Sequence, residues 1–447
     1  MHKNNSNRCR THPIHSEPTI IPRPEHPISR ANISPNALKV LYRLKESGYQ
    51  AHLVGGGVRD LLLGREPKDF DIATDAHPED VRRLFRNCRL IGRRFRLAHV
   101  MFGREVIEVA TFRALQEPGG DNGEQHTDEE GRLVRDNVYG SIEDDALRRD
   151  FTVNALYYNI ADFSIIDYTG GMQDIEKGML RLLGDPETRY REDPVRMLRA
   201  VRFATKLGFR IEPATEQPIR ALAPLLGDIP PARLFDEMLK LFLGGSALGN
   251  FEMLRHYDLF RQLFPLTETS LSHEENHFPL TLISHGMANT DSRVAAGKPV
   301  TPAFLFAVFL WQPVRDLAAR LEADGQATAQ ALQHAGSQII AEQAAVMATP
   351  RRFSLPMRDI WMLQLRLERK GGRRSLRVLG HPRFRAAYDF LLLRGEVGEV
   401  PQELCDWWTE FQDMHPEKRE QEVTRSRPRK RRRRGPRRTA ETGSGEA

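Results

Sequence analysis

The chain has 447 residues, room for roughly two to four domains, and its net charge of +6 hides an asymmetry: ten of the fourteen residues from Arg425 to Arg438 are Arg or Lys, so the rest is net acidic. Three widely spaced cysteines, Cys9, Cys88 and Cys405, exclude a disulfide-stapled scaffold and suit a reducing, cytoplasmic setting. No signal-peptide h-region is visible near the start, and the longest apolar run, Ala303 to Trp311, is about half of the ~20 residues a membrane span needs, so a buried helix is expected there.

Residues 1–34 are rich in Pro, Asn and His without periodicity, and disorder is expected through residue 34. Cys9 with His2, His12 and His15 fits no common zinc spacing. Leu38, Leu41, Tyr42 and Leu44 then mark an amphipathic helix leading into a strand, Ala51 to Val54. The next stretch, LVGGGVRDLLLGREPKDFDIAT (53–74), is the most informative. Gly55, Gly56 and Gly57 precede a helix-like run, Val58 to Leu63, and allow backbone N–H groups to close on an anion. Asp69 and Asp71 are two residues apart, so a strand through DFDIA would present both carboxylates on one face. Taken singly, three glycines are more often a tight turn and Asp-x-Asp a solvated turn. Together, with Arg59 and Asp60 between them, they point to metal-assisted chemistry on a nucleoside triphosphate. No Gly-Lys-Ser/Thr follows, which excludes a Walker A loop, and the dinucleotide spacing is absent.

Strand-like alternation returns at 89–92, 99–102, 105–112 and 164–168, with a polar loop at 114–136. Glu108, inside the apolar strand EVIEVATF, is either a third metal carboxylate or an edge residue facing water. In EDDALRRDFTVNALYYNI (143–160), Asp150 is a candidate cap for a helix through Val153, Leu156 and Tyr157, or a group at the sugar or the attacking hydroxyl. Asn154 would lie one turn on, on the same face, and Arg149 precedes Asp150. Beyond about residue 185 helical periods dominate. In RYREDPVRMLRAVRF, Asp193 as N-cap and Pro194 at the first helical position predict a helix start, with Arg196, Arg199 and Arg202 recurring every three residues. A carboxylate acceptor beside a guanidinium donor, Asp193 with Arg196, complements a base edge carrying an amino donor and a ring-nitrogen acceptor. Adenine and cytosine present that edge; guanine and uracil present the opposite polarity. The basic run containing Arg425, Arg427, Arg429, Lys430, Arg431, Arg432, Arg433 and Arg434 reads as a disordered polyanion-binding tail, with RNA favoured over mere solubilisation.

LVGGGVRD…DFD, RRDFTVNAL and REDPVRMLRAVRF resemble, in order, the motifs of the class II nucleotidyltransferases, which include bacterial poly(A) polymerases and tRNA CCA-adding enzymes. LIGRRFRLAHV (90–100), the region 350–411 and the Arg-rich tail are similar to the polyadenylating branch. The resemblance implies an α+β fold: a nucleotidyltransferase head with a small mixed β-sheet (35–180), a helical neck (181–250), a helical body and leg (251–415) and a disordered basic tail (416–447). It implies catalytic Asp69, Asp71 and Asp150, and two Mg²⁺ ions on Asp69, Asp71 and, as a third candidate, Glu108. Nucleotide contacts would come from Gly55, Gly56, Arg59, Arg149, Asn154, Asp193, Arg196, Arg199 and Arg202. The function expected is template-independent addition of AMP from ATP to RNA 3′ ends by a monomer, with tails promoting RNA decay and RNA-decay proteins as candidate partners. The alternatives are a CCA-adding enzyme and a catalytically silent RNA-binding protein.

Overall fold

In the computed structural model, residues 17–92, 96–114, 138–272 and 278–425 are described. The first part of the chain is organised on one eight-stranded sheet. Its elements run β1 (Thr19–Ile21), α1 (Pro35–Glu46), β2 (Ala51–Val54), α2 (Gly56–Leu62), β3 (Asp71–Thr74), α3 (Pro78–Leu84), β4 (Cys88–Ile91), β5 (Leu97–Phe102), β6 (Glu105–Thr111), α4 (Ile142–Leu147), β7 (Leu156–Asn159), β8 (Ile165–Asp167) and α5 (Gly171–Lys177). The order across the sheet is β1-β8-β7-β2-β3-β6-β5-β4. Neighbours are antiparallel except β3 and β6, which lie parallel and make the sheet mixed. That parallel pairing sets Asp71 opposite Glu108.

Central strands are covered on both faces, which is why β2 reads as a continuous buried run rather than an alternating one. On one face Leu53, Ile72, Ile107 and Val109 pack with Val40 and Leu44 of α1, Val58 and Leu61 of α2 and Val81 of α3. On the other, Val54, Ala73, Phe112 and Tyr157 pack with Ala146 of α4.

Two expectations are corrected here. Disorder through residue 34 does not hold for 17–34: β1 pairs with β8, Ile21, Ile28 and Ile33 enter the core, and the buried His26 bonds the Phe163 carbonyl at 2.9 Å. A short edge strand is ordered by a partner far along the chain and leaves no helical period to read. Residues 1–16, with Cys9 and its histidines, lie outside the described residues. The helix expected from Asp150 is instead a 3₁₀ turn, Thr152–Asn154, followed by β7. Aromatic Tyr157 and Tyr158 pair with Val54 and Leu53 of β2, and sheet burial outweighs the helical spacing. The turn is pinned from below: a Cβ on Gly171 would collide with the Thr152 carbonyl, and the Thr152 hydroxyl donates to Asp174 at 2.7 Å.

Helices take over after Lys177, apart from a two-stranded parallel pair, β9 (Met179–Leu180) and β10 (Arg210–Ile211). Between them stand α6 (Pro186–Glu192) and α7 (Val195–Leu207). The described chain divides into two compact units. The first holds residues up to 265 with 290–298 and 346–348, so it continues past the neck boundary expected at 250. The second holds 266–289, 299–345 and the remainder from 349. In the second unit the apolar run at 303–311 is split between the helices Pro302–Phe309 and Trp311–Ala323 and is almost wholly buried. Trp361 and Trp408 are buried with their indole N–H groups donated to Ala307 and Leu367 carbonyls at 3.1 and 2.7 Å. Among the described residues no helix is long and apolar enough to cross a membrane. The expected tail boundary at 416 also moves: Pro416–Arg425 is helical, because Val423 packs into the cluster of Trp408 and Phe411. Residues 426–447 lie outside the described residues.

Candidate active site

Gly55, at φ +68°, turns β2 into α2, a conformation that a side chain would strain. One turn on, Arg59 is buried and fully oriented. Its Nε and Nη2 donate to Asp60 at 2.9 and 2.6 Å, and its Nη1 donates to Asn154 Oδ1 at 2.5 Å. Asn154 passes the chain on, donating from Nδ2 to Asp150 Oδ1 at 3.3 Å. That oxygen also accepts the Phe151 N–H at 2.8 Å, while Asp150 Oδ2 accepts from Arg199 Nε at 2.7 Å and from Arg199 Nη2. Burial works against ionising Asp150, but the Arg199 charge and these donors outweigh it and hold its carboxyl below the usual range. Arg59, Asn154, Asp150 and Arg199 thus form one continuous chain from α2 to α7.

Three guanidiniums, those of Arg59, Arg199 and Arg202, lie over the single ring of Phe203, at 5.3, 5.2 and 4.4 Å from its centre. Arg202 Nε is buried with no hydrogen-bond partner, and burial with the Arg199 charge beside it lowers its pKa. Cations gathered at this density suit an anionic ligand.

Arg149 is held differently. Its Nη2 donates to Asp145 at 3.0 Å, its Nε to the Tyr157 hydroxyl at 2.9 Å and its Nη1 to the Asn154 carbonyl at 3.3 Å. Tyr157 in turn donates to Asp145 at 2.7 Å. The same Nη1 faces Gly55, 3.4 Å from where a Cβ would stand. Asp145 escaped the reading of the sequence and Tyr157 was read only as part of a helix, although the i, i+4 spacing of Asp145 and Arg149 was a usable signal.

Asp71 opens β3, whereas Asp69 precedes the strand and is exposed, so the shared strand face expected for the pair is corrected. The antiparallel partner β2 ends at Val54, opposite Asp71, where Gly55 turns the chain into α2, so Asp69 has no β2 residue to pair with. Burial and the like charges of Glu108 and Asp69 push the Asp71 carboxyl up to about 6, against the pull of Arg149. Glu108 Oε2 lies 3.3 Å from His99 Nε2. Among the described residues no three acid, His or Cys side chains are clustered closely enough to hold an ion by themselves. The donor chemistry nevertheless fits Mg²⁺, which takes one or two carboxylates and completes its shell with water and substrate phosphates. A divalent cation would also relieve the repulsion that raises Asp71.

The base-reading candidates stand at the start of α7, which begins at Val195, one residue later than expected. Asp193 still acts as a cap, accepting the Val195 N–H at 3.2 Å, and its other oxygen takes Arg233 at 2.7 Å. Arg196 Nη1 donates to the Arg189 carbonyl at 2.6 Å and to Glu192 at 3.0 Å. Asp193 and Arg196 are therefore each held by other partners: Arg233, Arg189 and Glu192, none of which the sequence singled out. In the basic run, Arg425 ends the last helix, and Arg427, Arg429, Lys430, Arg431, Arg432, Arg433 and Arg434 lie outside the described residues, as do 115–136 of the polar loop and 93–95 of LIGRRFRLAHV.

A glycine turn and carboxylates on a small mixed sheet, backed by an arginine-bearing helix, define a nucleotidyltransferase. The fold agrees with two solved structures: a tRNA-processing enzyme (TM-score 0.59, 22% identity, covering 87% of this chain and 94% of that one) and a tRNA nucleotidyltransferase complexed with a primer tRNA and an incoming ATP analog (TM-score 0.56, 22% identity, 83% and 98%). Family models for the poly A polymerase head domain match residues 51–181, those for the candidate RNA- and SrmB-binding site of polymerase A match 208–271, and those for the polymerase A arginine-rich C-terminus match 324–439. Poly(A) polymerase I of Escherichia coli O6:H1 is 52% identical over 433 residues (94% of this chain, 93% of that one), and that of Salmonella typhi 51% over 430 residues (92% of each). The chain belongs to the bacterial poly(A) polymerase family. A CCA-adding enzyme of Bacillus pumilus is 37% identical over 249 residues, 56% of this chain and 60% of its own.

Proposed function

We propose that the site just described binds ATP and the RNA 3′ end with the residue roles given below. The activity itself follows from family membership: a polynucleotide adenylyltransferase that adds AMP from ATP to RNA 3′ ends without a template. The observation that carries the reading of the site is the bonded chain Arg59–Asn154–Asp150–Arg199, with the Arg149 charge acting on Asp71. Arg59, Arg202 and the Gly55–Gly56 backbone take the triphosphate, and Arg149, fixed by Asp145 and Tyr157, adds charge beside Gly55 and Asp71. Asp150 takes the sugar, kept ionised by Arg199. Asp193 and Arg196 read the amino group and ring nitrogen of the base. Asp69 and Asp71, with Glu108 as a third candidate, hold two Mg²⁺ ions, which supply Lewis acidity for the attacking 3′-hydroxyl and the leaving pyrophosphate. In-line attack at the α-phosphate needs positioning and charge neutralisation rather than a covalent enzyme intermediate, and these residues supply both. The basic tail adds affinity for RNA. The protein acts as a cytoplasmic monomer, and its tails promote RNA decay.

A CCA-adding activity rests on likeness over about half of the chain, and no feature of the site favours it. The test offers one nucleotide at a time with an oligo(A) primer. ATP alone gives long tails, CTP is at least about tenfold poorer, a ratio within reach of a shaped pocket, and GTP and UTP are poorer still. Addition of two C residues and one A, to tRNA only, would overturn this reading.

A further inference from the structure

The face of the sheet that carries Asp71 is covered over one half and open over the other. Over β2, β3 and β7 it packs against α4 through Val54, Ala73, Tyr157 and Ala146. Over β6, β5 and β4 the buried Ile107, Val109, Ala98 and Val100 point the other way, into the core shared with α1 and α3. Alternation therefore turns the residues between them toward the Asp71 face. Register sets three of them in one row with it: Asp71 stands opposite Glu108, Glu108 opposite His99, and His99 opposite Arg89. The approach of His99 Nε2 to Glu108 Oε2, 3.3 Å, places both on one side of the sheet. Apolar pairs border the row, Val106 with Met101 and Ile91 with Leu97. Val106 is 42% and Ile91 48% exposed, and Arg89, exposed at the end of the row, has no ion pair among the described residues.

We propose that this open half-face is the track of the RNA primer, and that Arg89 binds the phosphodiester joining the primer's last two nucleotides. This rests on the triphosphate and carboxylate roles given above and deepens them. Gly55 and Arg59, read as holding the triphosphate, follow β2, the neighbour of β3 on one side, whereas β6, β5 and β4 continue the sheet on the other. In-line displacement puts the entering and leaving oxygens on opposite sides of the phosphorus. With pyrophosphate leaving toward the β2–α2 turn, the 3′-hydroxyl enters over Glu108, and the nucleotide that carries it lies over β5 and β4. Strands are about 4.8 Å apart, so Arg89 stands roughly 10 Å beyond Glu108, a gap that one nucleotide and an extended arginine side chain can bridge. A guanidinium at that point meets a phosphodiester anion in a charge-assisted, bidentate contact. His99, set between the two by register, separates the Glu108 carboxylate from that phosphate. The apolar borders support the ribose and the face of the base. Such contacts carry no sequence information, which suits extension of differing RNA ends without a template.

Arg89→Gln removes the charge from an exposed position and leaves the core intact. The assay extends oligo(A) with 3′-deoxy-ATP, which limits each primer to one addition and keeps its last linkage in place. A second oligo(A) carries an uncharged methylphosphonate at that last linkage. The expected result for Arg89→Gln is a KM for oligo(A) raised about tenfold, with kcat and the KM for 3′-deoxy-ATP within about twofold of the unsubstituted protein. The methylphosphonate costs the unsubstituted protein a similar factor and costs Arg89→Gln little more, because both changes delete one contact. Arg82→Gln, an exposed arginine on α3 behind the opposite face, leaves the KM for oligo(A) unchanged. A general loss of positive charge would weaken Arg82→Gln and Arg89→Gln alike, and a structural role for Arg89 would not single out one linkage of the primer. If the unsubstituted protein extends oligo(A) and Arg89→Gln keeps its primer KM within about threefold, the track is refuted while the proposed function stands. An equal methylphosphonate penalty in both proteins refutes it as well. Failure of the unsubstituted protein to extend oligo(A) refutes the proposed function instead.

Discussion

Replacing Arg199 by Met tests whether the Asp150–Arg199 pair holds the candidate site together. The change removes both donors to Asp150 Oδ2 and leaves the Phe151 N–H and Asn154 Nδ2 on Oδ1. The Asp150 side chain is 12% exposed and that of Arg199 31%, so water replaces the lost donors poorly. Stripping one partner from a fully buried pair costs about 3–5 kcal/mol. The two surviving hydrogen bonds and the partial exposure of Arg199 lower the expected loss to about 2–3 kcal/mol. Methionine keeps the apolar stem against Phe203, so little of this loss is packing.

The pH dependence has a definite sign. A carboxyl whose folded pKa is depressed stabilises the fold above its unfolded value, 3.8 here, and that stabilisation disappears as pH falls through the lower folded value. The penalty in Arg199→Met is therefore full at neutral pH and shrinks once Asp150 protonates. A double-mutant cycle of Arg199→Met with Asp150→Asn, followed by urea unfolding, isolates the pair, and amide exchange in 138–265 keeps the reading on the first compact unit. The expected coupling is about 2 kcal/mol at neutral pH and smaller near pH 3, below the ordinary carboxyl value of 3.8. A coupling below about 0.5 kcal/mol at neutral pH, or one equal at both pH values, would refute the argument that charge holds Asp150 in place. RNA extension falls in the same variant, because without Arg199 the Asp150 carboxylate loses both donors to its Oδ2 and the charge that keeps it ionised.

Two further outcomes are expected. Asp71→Ala abolishes RNA extension, by about a thousandfold or more, yet raises the melting temperature at neutral pH: a carboxyl raised from 3.8 to about 6 costs the fold stability as pH climbs through that window, and alanine removes the cost. Residual activity above about a tenth, or a lower melting temperature, would count against the assignment; Asp69→Ala is expected to lose activity similarly. Deleting 426–447 weakens RNA binding and flattens its salt dependence by roughly 0.7 in log–log slope for each RNA phosphate that the tail had neutralised, without altering the ATP-to-CTP ratio; an unchanged slope shows that the tail does not touch RNA.

Much of the site was legible because its chemistry is local in the chain. Gly55 to Arg59, Asp69 with Asp71, Arg149 with Asp150, and the arginines at 196, 199 and 202 each fall within a few residues of one another. Residue type and spacing marked the glycines as a candidate phosphate cradle, Asp69 and Asp71 as candidate metal carboxylates and Asp193 with Arg196 as a candidate base-reading pair, while the family resemblance added Arg149, Arg199 and Arg202. The sheet strands from β4 to β6 and β8 announced themselves by alternation, and the helical remainder by its longer period.

What needed the folded chain was every relation between distant segments. The Glu108 position opposite Asp71 follows from a parallel pairing of β3 with β6, which no local pattern encodes. The ordering of 17–34 depends on β8, well over a hundred residues away, and the strand at Leu156–Asn159 on its pairing with β2, which overrode a helical spacing. The partners that orient the site, Asp145 and Tyr157 on Arg149, Arg189 and Glu192 on Arg196, and Arg233 on Asp193, look like ordinary charged or aromatic residues in the sequence. An arginine's hydrogen bonds depend on which carbonyls and carboxylates the fold brings within about 3 Å of it, and only the tertiary packing of α6, α7 and the segment 148–150 decided that.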